Sequence, residues 1–226
     1  MGKRTAEQRR QRAAEMRAQR LREEKRRKII KTTGITAAAL LVVGGVAFAG
    51  YMEYQRRNID GVQTFEGLTN NHVTEPVDYE QSPPVGGDHH AAWQNCGVYA
   101  DPVTSIHAVH SLEHGAVWIT YDPELPDNQV AALEALYTPG SYVLVSPYEG
   151  EMPAPVVASA WGRQIAVDSP ADERLGQFLR LYEQSSDVPE PGASCSGAIP
   201  YTEAEIEQAG GLEAVMSGQT ATMDQE

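Results

Sequence analysis

A stretch of 21 residues without a charged side chain, from Thr32 to Met52, most constrains how this chain can fold. About 20 apolar residues in a helix span the ~30 Å hydrocarbon core of a bilayer. A charge at the centre of such a helix costs about 2.5 kcal/mol or more, so an uncharged run of this length is informative. The segment therefore predicts one transmembrane helix over residues 32–54.

A cleaved signal peptide is the alternative interpretation of this segment. Signal peptides combine a short basic region with about 7–15 apolar residues, followed by small residues at the cleavage site. The sequence Val-Ala-Phe-Ala-Gly at residues 46–50 resembles such a site. The basic region here is about thirty residues long and the apolar run is longer than usual, which favours an uncleaved signal-anchor helix. Whether the segment is cleaved stays open.

The charges on the two sides of this segment are opposed. Residues 1–31 carry 13 Lys and Arg against four Glu, whereas residues 58–226 carry three Arg against 26 acidic side chains. Because Lys and Arg accumulate on the cytoplasmic side, we expect a single-pass protein of the plasma membrane, with its N-terminus in the cytoplasm and its C-terminal domain outside. The basic arm, residues 1–31, has a helix-forming composition and is expected to bind anionic lipids rather than nucleic acid.

The part outside the membrane has the length of one domain, residues 60–200, followed by an acidic C-terminal tail, residues 201–226. Hydrophobic and turn patterns predict strands at 116–121 and 142–146, a hairpin over 156–167, and helices beginning near 126 and 169. This order indicates an α+β fold, and a thioredoxin-like sandwich is one arrangement that fits. Thr202 and Glu205 form a predicted capping box, and the last residues are expected to be disordered.

The two cysteines, Cys96 and Cys195, both lie in the predicted outer domain. In an oxidising compartment two such cysteines usually form a disulfide, which is the pairing we expect. The alternative is that Cys96 is a metal ligand, because it is close in sequence to two histidines.

All six histidines lie between His72 and His114. Neutral imidazole is the commonest metal ligand near pH 7. The segment His110-Ser-Leu-Glu-His114, together with His89, predicts a copper or zinc site, with Glu113 orienting a ligand and Met152 as a possible soft ligand for Cu⁺. His72, in contrast, is expected to be solvated.

Two other hypotheses fit the same histidines. His110, Glu113 and His114 match the His-x-x-Glu-His pattern of inverted zinc peptidases, although the strand that follows leaves little room for a long ligand-bearing helix. Alternatively, histidines at a turn between the Gly-rich loop and the strand hold the loop through backbone carbonyls. The protein would then be an interaction module whose acidic surface binds a membrane partner.

Several short motifs resemble a bacterial family known as domain of unknown function 3105. They are Ser82-Pro-Pro-Val-Gly-Gly-Asp-His89, Trp93, Gly97-Val-Tyr99, His110-Ser-Leu-Glu-His-Gly115 and Val117-Trp-Ile-Thr-Tyr121. The resemblance covers roughly Tyr79 to Tyr182, and the layout of basic arm, membrane helix and outer domain is similar to that of actinobacterial members. His90, His107 and Cys96 lie outside the pattern, which lowers their candidacy as ligands.

The resemblance implies an accessory protein of a membrane redox (respiratory) complex, with other membrane subunits as partners. Combined with the histidines, it favours a non-enzymatic, membrane-anchored protein that binds copper or zinc. A non-metal interaction module is the alternative, and a zinc hydrolase is the more distant one.

Overall fold

The computed structural model describes residues 2–223, with the side chains of residues 10–12, 14–54 and 58–217. It divides the chain into two compact units, residues 1–57 and residues 58–226. The helices are α1 (Gly2–Arg57), α2 (Ser105–Glu113), α3 (Asp127–Glu134), α4 (Glu173–Tyr182), α5 (Glu203–Gln208) and α6 (Leu212–Met223). The strands are β1 (Gln63–Thr64), β2 (Gly97–Val98), β3 (Val117–Tyr121), β4 (Val143–Pro147), β5 (Val156–Ala160) and β6 (Arg163–Val167).

The first unit is the helix α1, which continues from the basic arm through the apolar segment without a break. Among the described residues it is the one helix that is long and apolar enough to cross a membrane. The hydroxyl groups of Thr32 and Thr36 donate to the carbonyls of Lys28 and Thr32, respectively. These hydroxyls are thus satisfied by the backbone of the helix itself.

The second unit is built on a six-stranded mixed sheet with the order β1-β6-β5-β3-β4-β2. Strands β3 and β4 are parallel and are connected through α3, whereas β5 is antiparallel to both β3 and β6. The hairpin predicted over residues 156–167 is therefore present. The combination of an N-terminal helical segment with this mixed sheet and its helices confirms the α+β class. The thioredoxin-like arrangement stays a prediction.

Helices cover both faces of the sheet, and β3, β4 and β5 are fully buried. This explains why their sequences are mostly apolar rather than alternating, with Thr120, Ser146 and Ser159 as buried polar exceptions. On one face α3 and α4 contribute Leu133, Leu175 and Phe178 to the main core. On the other face α2 contributes Ala108 and Leu112, which pack against Trp118 and Leu144 of the sheet.

Two helices were not expected from the sequence. The histidine run, expected at a turn, forms the helix α2, because packing of Ala108 and Leu112 against the sheet stabilises a segment that has a weak apolar pattern of its own. Residues 212–223 form α6, where disorder was expected; for residues 224–226 that expectation lies outside the described residues. The capping box of α5 is present, with Thr202 and Glu205 bonding each other's backbone N–H groups.

Candidate metal centre

Helix α2 carries the histidines toward one side of the sheet. His107 and His110 are three residues apart, and His114 caps the helix four residues later, so all three share a face of the helix. The rings of His110 and His114 have their centroids 4.5 Å apart. Gly115 ends the helix with a positive φ of 96°, a conformation in which glycine is the favoured residue.

Two loops bring further histidines to this face. His89 follows the Gly-rich turn, and its backbone N–H donates to the carbonyl of Asn71. An isolated bridge pairs His72 with His89, so the segment that contains His72 lies beside the loop that contains His89. The rings of His72 and His110 stack with a centroid distance of 4.9 Å. Three imidazoles from separate segments thus meet at one point.

The carboxylate of Glu113 lies at the centre of these imidazoles. Its Oε2 atom is 2.9 Å from Nε2 of His89 and 3.8 Å from Nε2 of His72, and its Oε1 atom accepts a hydrogen bond from Asn70 at 3.0 Å. Glu113 is 1% exposed and His89 is 0% exposed, whereas the side chain of His72 is 45% exposed. A buried carboxylate costs much free energy unless it is paired, so these contacts are what stabilise it.

These four residues form the inner set: His72, His89, His110 and Glu113, whose potential ligand atoms all lie within 4.8 Å of one another. A tetrahedral Zn²⁺ site with bonds of 2.0–2.1 Å places its ligand atoms about 3.3 Å apart. Side-chain movements of about 1 Å therefore bring the inner set to metal-binding distances.

Backbone carbonyls orient four of the imidazoles through their Nδ1 atoms, at distances of 2.6–2.8 Å. The pairs are His89 with Gly87, His107 with Ala92, His110 with His90, and His114 with Ser194. Because a carbonyl only accepts, each Nδ1 carries the proton. The histidines therefore hold the loops, as the structural hypothesis expected, and they leave each Nε2 atom available for a second role.

Nε2 of His89 faces the carboxylate of Glu113. Nδ1 of His89 already donates to Gly87, so Nε2 of a neutral ring offers a lone pair. Oε2 of Glu113 also offers lone pairs, and the two atoms are 2.9 Å apart. Two acceptors approach this closely only with a proton or a cation between them. The contact therefore has room for one proton or one metal ion between the two atoms.

Burial controls the protonation of the neighbouring rings. Burial lowers the pKa of His110 to about 4, and the hydrogen bond with the His90 carbonyl opposes this only partly. The pKa of His107 is also lowered to about 4, for the same main reason. At neutral pH both rings are therefore uncharged, and Nε2 of His110 has a free lone pair directed into the cluster.

A second group of ligand atoms overlaps the first. The outer set consists of His110, His114 and Glu190, whose ligand atoms also lie within 4.8 Å of one another. Nε2 of His114 is 3.4 Å from Oε2 of Glu190, which lies in the loop after α4 and is 49% exposed. Trp93 packs against the rings of both His110 and His114, at centroid distances of 5.7 and 5.0 Å.

A disulfide fastens the loop that carries the outer acid. Cys96 and Cys195 are bonded to each other, and the N–H of Cys96 also donates to the carbonyl of Cys195. This tethers Ser194, whose carbonyl orients His114. The same loop contacts the end of α2, because the N–H of Glu190 donates to the carbonyl of Glu113.

The structure distributes the residues proposed from the sequence as follows. His89 and His110 meet in the inner set, and His114 joins His110 in the outer set. Glu113, expected to orient a ligand, is itself among the potential ligands. Met152 is not brought to the cluster: it lines a surface pocket with Asp122, which follows β3, whereas His114 precedes that strand.

Of the remaining histidines, His72 belongs to a ligand set, contrary to expectation, and His90 and His107 do not. His72, expected to be solvated, belongs to the inner set even though its side chain is half exposed, because the bridge to His89 holds its backbone there. His90 and His107 contact each other at a centroid distance of 4.7 Å, and neither belongs to a ligand set among the described residues.

Sequence reasoning missed three residues of the site: Asn70, His72 and Glu190. Asn70 and His72 lie in a polar loop, and Glu190 lies in a Pro- and Gly-rich loop about 80 residues after α2. The confinement of all six histidines to one region could have pointed to His72. We find no sequence signal for Asn70 or Glu190.

The geometry is not that expected of a peptidase with a His-x-x-Glu-His motif. Such a mechanism requires both histidines on one zinc ion and the glutamate free to act as a base for water. Here one oxygen of Glu113 contacts Asn70 and the other contacts His89. The carboxylate is thus occupied as part of the cluster.

Comparison with known proteins gives one family. No curated protein and no solved structure matches the chain. The family described as "Protein of unknown function (DUF3105)" matches residues 72–197, more than half of the chain. The matched region begins at His72 and extends past Glu190 and Cys195, so it contains both ligand sets and the disulfide. The chain therefore belongs to the DUF3105 family.

Proposed function

We propose that this protein is a membrane-anchored metal-binding protein that holds one transition-metal ion in the inner set. The observation that carries this proposal is the convergence of three imidazoles on one buried carboxylate, Glu113, from three separate segments of the chain. A structural hydrogen bond needs only one imidazole beside the carboxylate. Four potential ligands around one point are what a metal site requires.

The orientation of the rings supports the same function. Histidines that bind metals usually donate their other ring N–H to a carbonyl or carboxylate, which fixes the tautomer and the direction of the lone pair. His89 and His110 both do so through Nδ1. The hydrogen bonds that hold the loops therefore also preorganise the ligands. Loop clamping uses the Nδ1 atoms of these rings and metal binding would use their Nε2 atoms, so the two hypotheses are compatible.

Three imidazoles and one carboxylate suit Zn²⁺ or Cu²⁺. The thioether of Met152, proposed as a soft ligand for Cu⁺, lies beyond the opposite end of β3 from His114. The donor set of the described site is thus borderline rather than soft, and we propose Zn²⁺ first and Cu²⁺ second.

The full-length chain, purified in detergent, tests this function directly. We expect one equivalent of Zn²⁺ or Cu²⁺ per chain in a competition titration against a chromophoric chelator. His72→Gln and Glu113→Gln should each weaken binding by about tenfold or more. His90→Gln is the matched control, because it removes a neighbouring histidine that belongs to neither set. Binding by Glu113→Gln as tight as by the wild type would contradict the proposal.

We further propose that α1 anchors the protein in the plasma membrane, with the metal site outside the cell and the basic arm on anionic lipids inside. The excess of Lys and Arg before the apolar segment supports this orientation. The disulfide supports an oxidising compartment for the second unit. Protease added to intact cells stripped of their wall should remove a C-terminal epitope and spare an N-terminal one. The reverse pattern would contradict the orientation.

A membrane subunit of a redox complex is the partner that we propose for α1. Support comes from the layout of the chain and from Gly44 and Gly45, where an added Cβ atom would meet nothing within 4 Å apart from neighbouring parts of the same helix. Small residues of this kind let another helix approach closely. Gly44→Leu should release subunits that co-purify with the wild type, whereas Ala39→Leu, which lies on the other side of the same helix, should release fewer. Equal retention by both variants would argue against a glycine contact.

A further inference from the structure

The inner and outer sets are not two independent metal sites, because they share His110. Nδ1 of His110 donates to the carbonyl of His90 at 2.7 Å, so the ring offers one lone pair, on Nε2. An imidazole can bridge two metal ions only when both ring nitrogens are free of protons. The two sets are therefore alternative positions for a single ion.

The two positions differ in the charge of their exposed ligand: the side chain of His72 in the inner set is 45% exposed and that of Glu190 in the outer set is 49% exposed, but only Glu190 is an acid. In the inner set His89 and Glu113 are almost fully buried. In the outer set the carboxylate of Glu190 is half exposed, and it contacts Nε2 of His114, which is itself 3% exposed. Glu190 thus connects solvent to a buried imidazole that lies against His110. The second unit also carries many more acidic than basic residues, which raises the local concentration of cations.

Two features hold the outer position in place. The backbone N–H of Glu190 donates to the carbonyl of Glu113, which links the exposed acid to the end of α2. Trp93 packs over His110 and His114, and its Nε1 atom is buried without a hydrogen-bond partner among the described residues. This N–H is free to donate to a water molecule that accompanies an incoming ion.

We propose that the metal ion enters through Glu190 and His114 and then moves to His89, Glu113 and His72, with His110 as the ligand common to both positions. This inference rests on the proposed metal function and adds a route to it. His72 is the other exposed ligand, and entry on that side is the competing route.

Stopped-flow mixing of the full-length chain with Cu²⁺ tests the route, because bound Cu²⁺ quenches the fluorescence of nearby tryptophans such as Trp93. The test variant is Glu190→Gln. The matched control is Asp187→Asn, an exposed acid of the same loop that belongs to neither set. Both changes remove one negative charge from the loop, but only Glu190→Gln removes a carboxylate that belongs to a ligand set. Circular dichroism before mixing establishes that each variant is folded.

For Glu190→Gln we expect association to slow by about tenfold or more relative to Asp187→Asn. Dissociation should slow by a similar factor, since a group that lies on the route but outside the final site changes both rates and leaves Kd within about threefold. One ion per chain should bind in each variant.

Three results would overturn the route. Binding of two ions per wild-type chain would show that the sets are independent. Equal association rates for Glu190→Gln and Asp187→Asn, with one ion bound, would reject the route and leave the metal function standing. Absence of binding in the wild type would reject both.

Discussion

Nε2 of His89 lies 2.9 Å from Oε2 of Glu113, a residue 24 positions later in the chain, at a point where both side chains are closed to solvent. Nδ1 of the same ring donates to the carbonyl of Gly87, so the contact needs a proton or a metal ion between its two atoms. The same ring thus fixes the loop through Nδ1 and offers a place for a proton or a metal ion through Nε2.

Metal binding should stabilise the second unit. An ion that binds only the folded chain adds about 2.7 kcal/mol at a free concentration 100 times Kd. For a domain of this size that corresponds to a rise in Tm of about 5–10 °C. Near-ultraviolet circular dichroism during heating, with and without Zn²⁺, measures the shift, and an excess of chelator should reverse it. A Tm that does not respond to Zn²⁺ in the wild type, or that responds equally in His72→Gln, would contradict this expectation.

Acid should destabilise the metal-free protein partly through His107. Its pKa is lowered by burial from 6.5 to about 4 in the folded chain. Below pH 6.5 the unfolded chain binds a proton that the folded chain does not, so stability is complete above pH 6.5 and falls between pH 6.5 and about 4. The loss from this group is as much as about 3 kcal/mol.

Urea unfolding at pH 7.5, 6.0 and 5.0, in the presence of a chelator, measures this loss. His107→Gln retains a donor for the carbonyl of Ala92 but does not titrate, so its stability should depend less steeply on pH. Parallel curves for the two proteins would show that burial of His107 does not cause the loss.

Removal of the disulfide should cost much of the stability of the second unit. Cys96 and Cys195 are 99 positions apart. For a loop of this length the chain-entropy relation gives about 4–5 kcal/mol. Unfolding of Cys96→Ser/Cys195→Ser in urea measures the loss. Hydrogen exchange should additionally show faster exchange at the N–H of Glu190, because the loop that carries it loses its tether. Unchanged exchange there would separate the disulfide from the metal centre.

Gly115→Ala should disturb the end of α2. Gly115 has a φ of 96°, and an added Cβ atom would lie 3.2 Å from Cα of Gln184. Gly140 has a similar φ of 89° but open space around it, which makes Gly140→Ala the matched control. We expect a loss of about 1–2 kcal/mol for the control and about 1 kcal/mol more for Gly115→Ala. Denaturant titrations of both variants test this, and equal losses would mean that Gln184 moves aside at no cost.

The sequence by itself determined the features that depend on local composition. The uncharged run from Thr32 to Met52 predicted a long apolar helix, and the mostly apolar runs predicted the buried strands. The box of Thr202 and Glu205 needs only residues three apart, and it forms as predicted. His110, Glu113 and His114 were recognised as candidates from their types and spacing alone, although the helix that carries them was not expected.

Only the tertiary structure decided which residues complete the site. The helical state of α2 depends on packing of Ala108 and Leu112 against strands that follow it in the sequence. His72 joins the centre through a bridge to His89, and Glu190 joins through a loop tethered by the disulfide. Contacts between segments 17 to 80 residues apart leave no periodic pattern in a single sequence. Local spacing therefore predicted part of the ligand set, and long-range packing determined the rest.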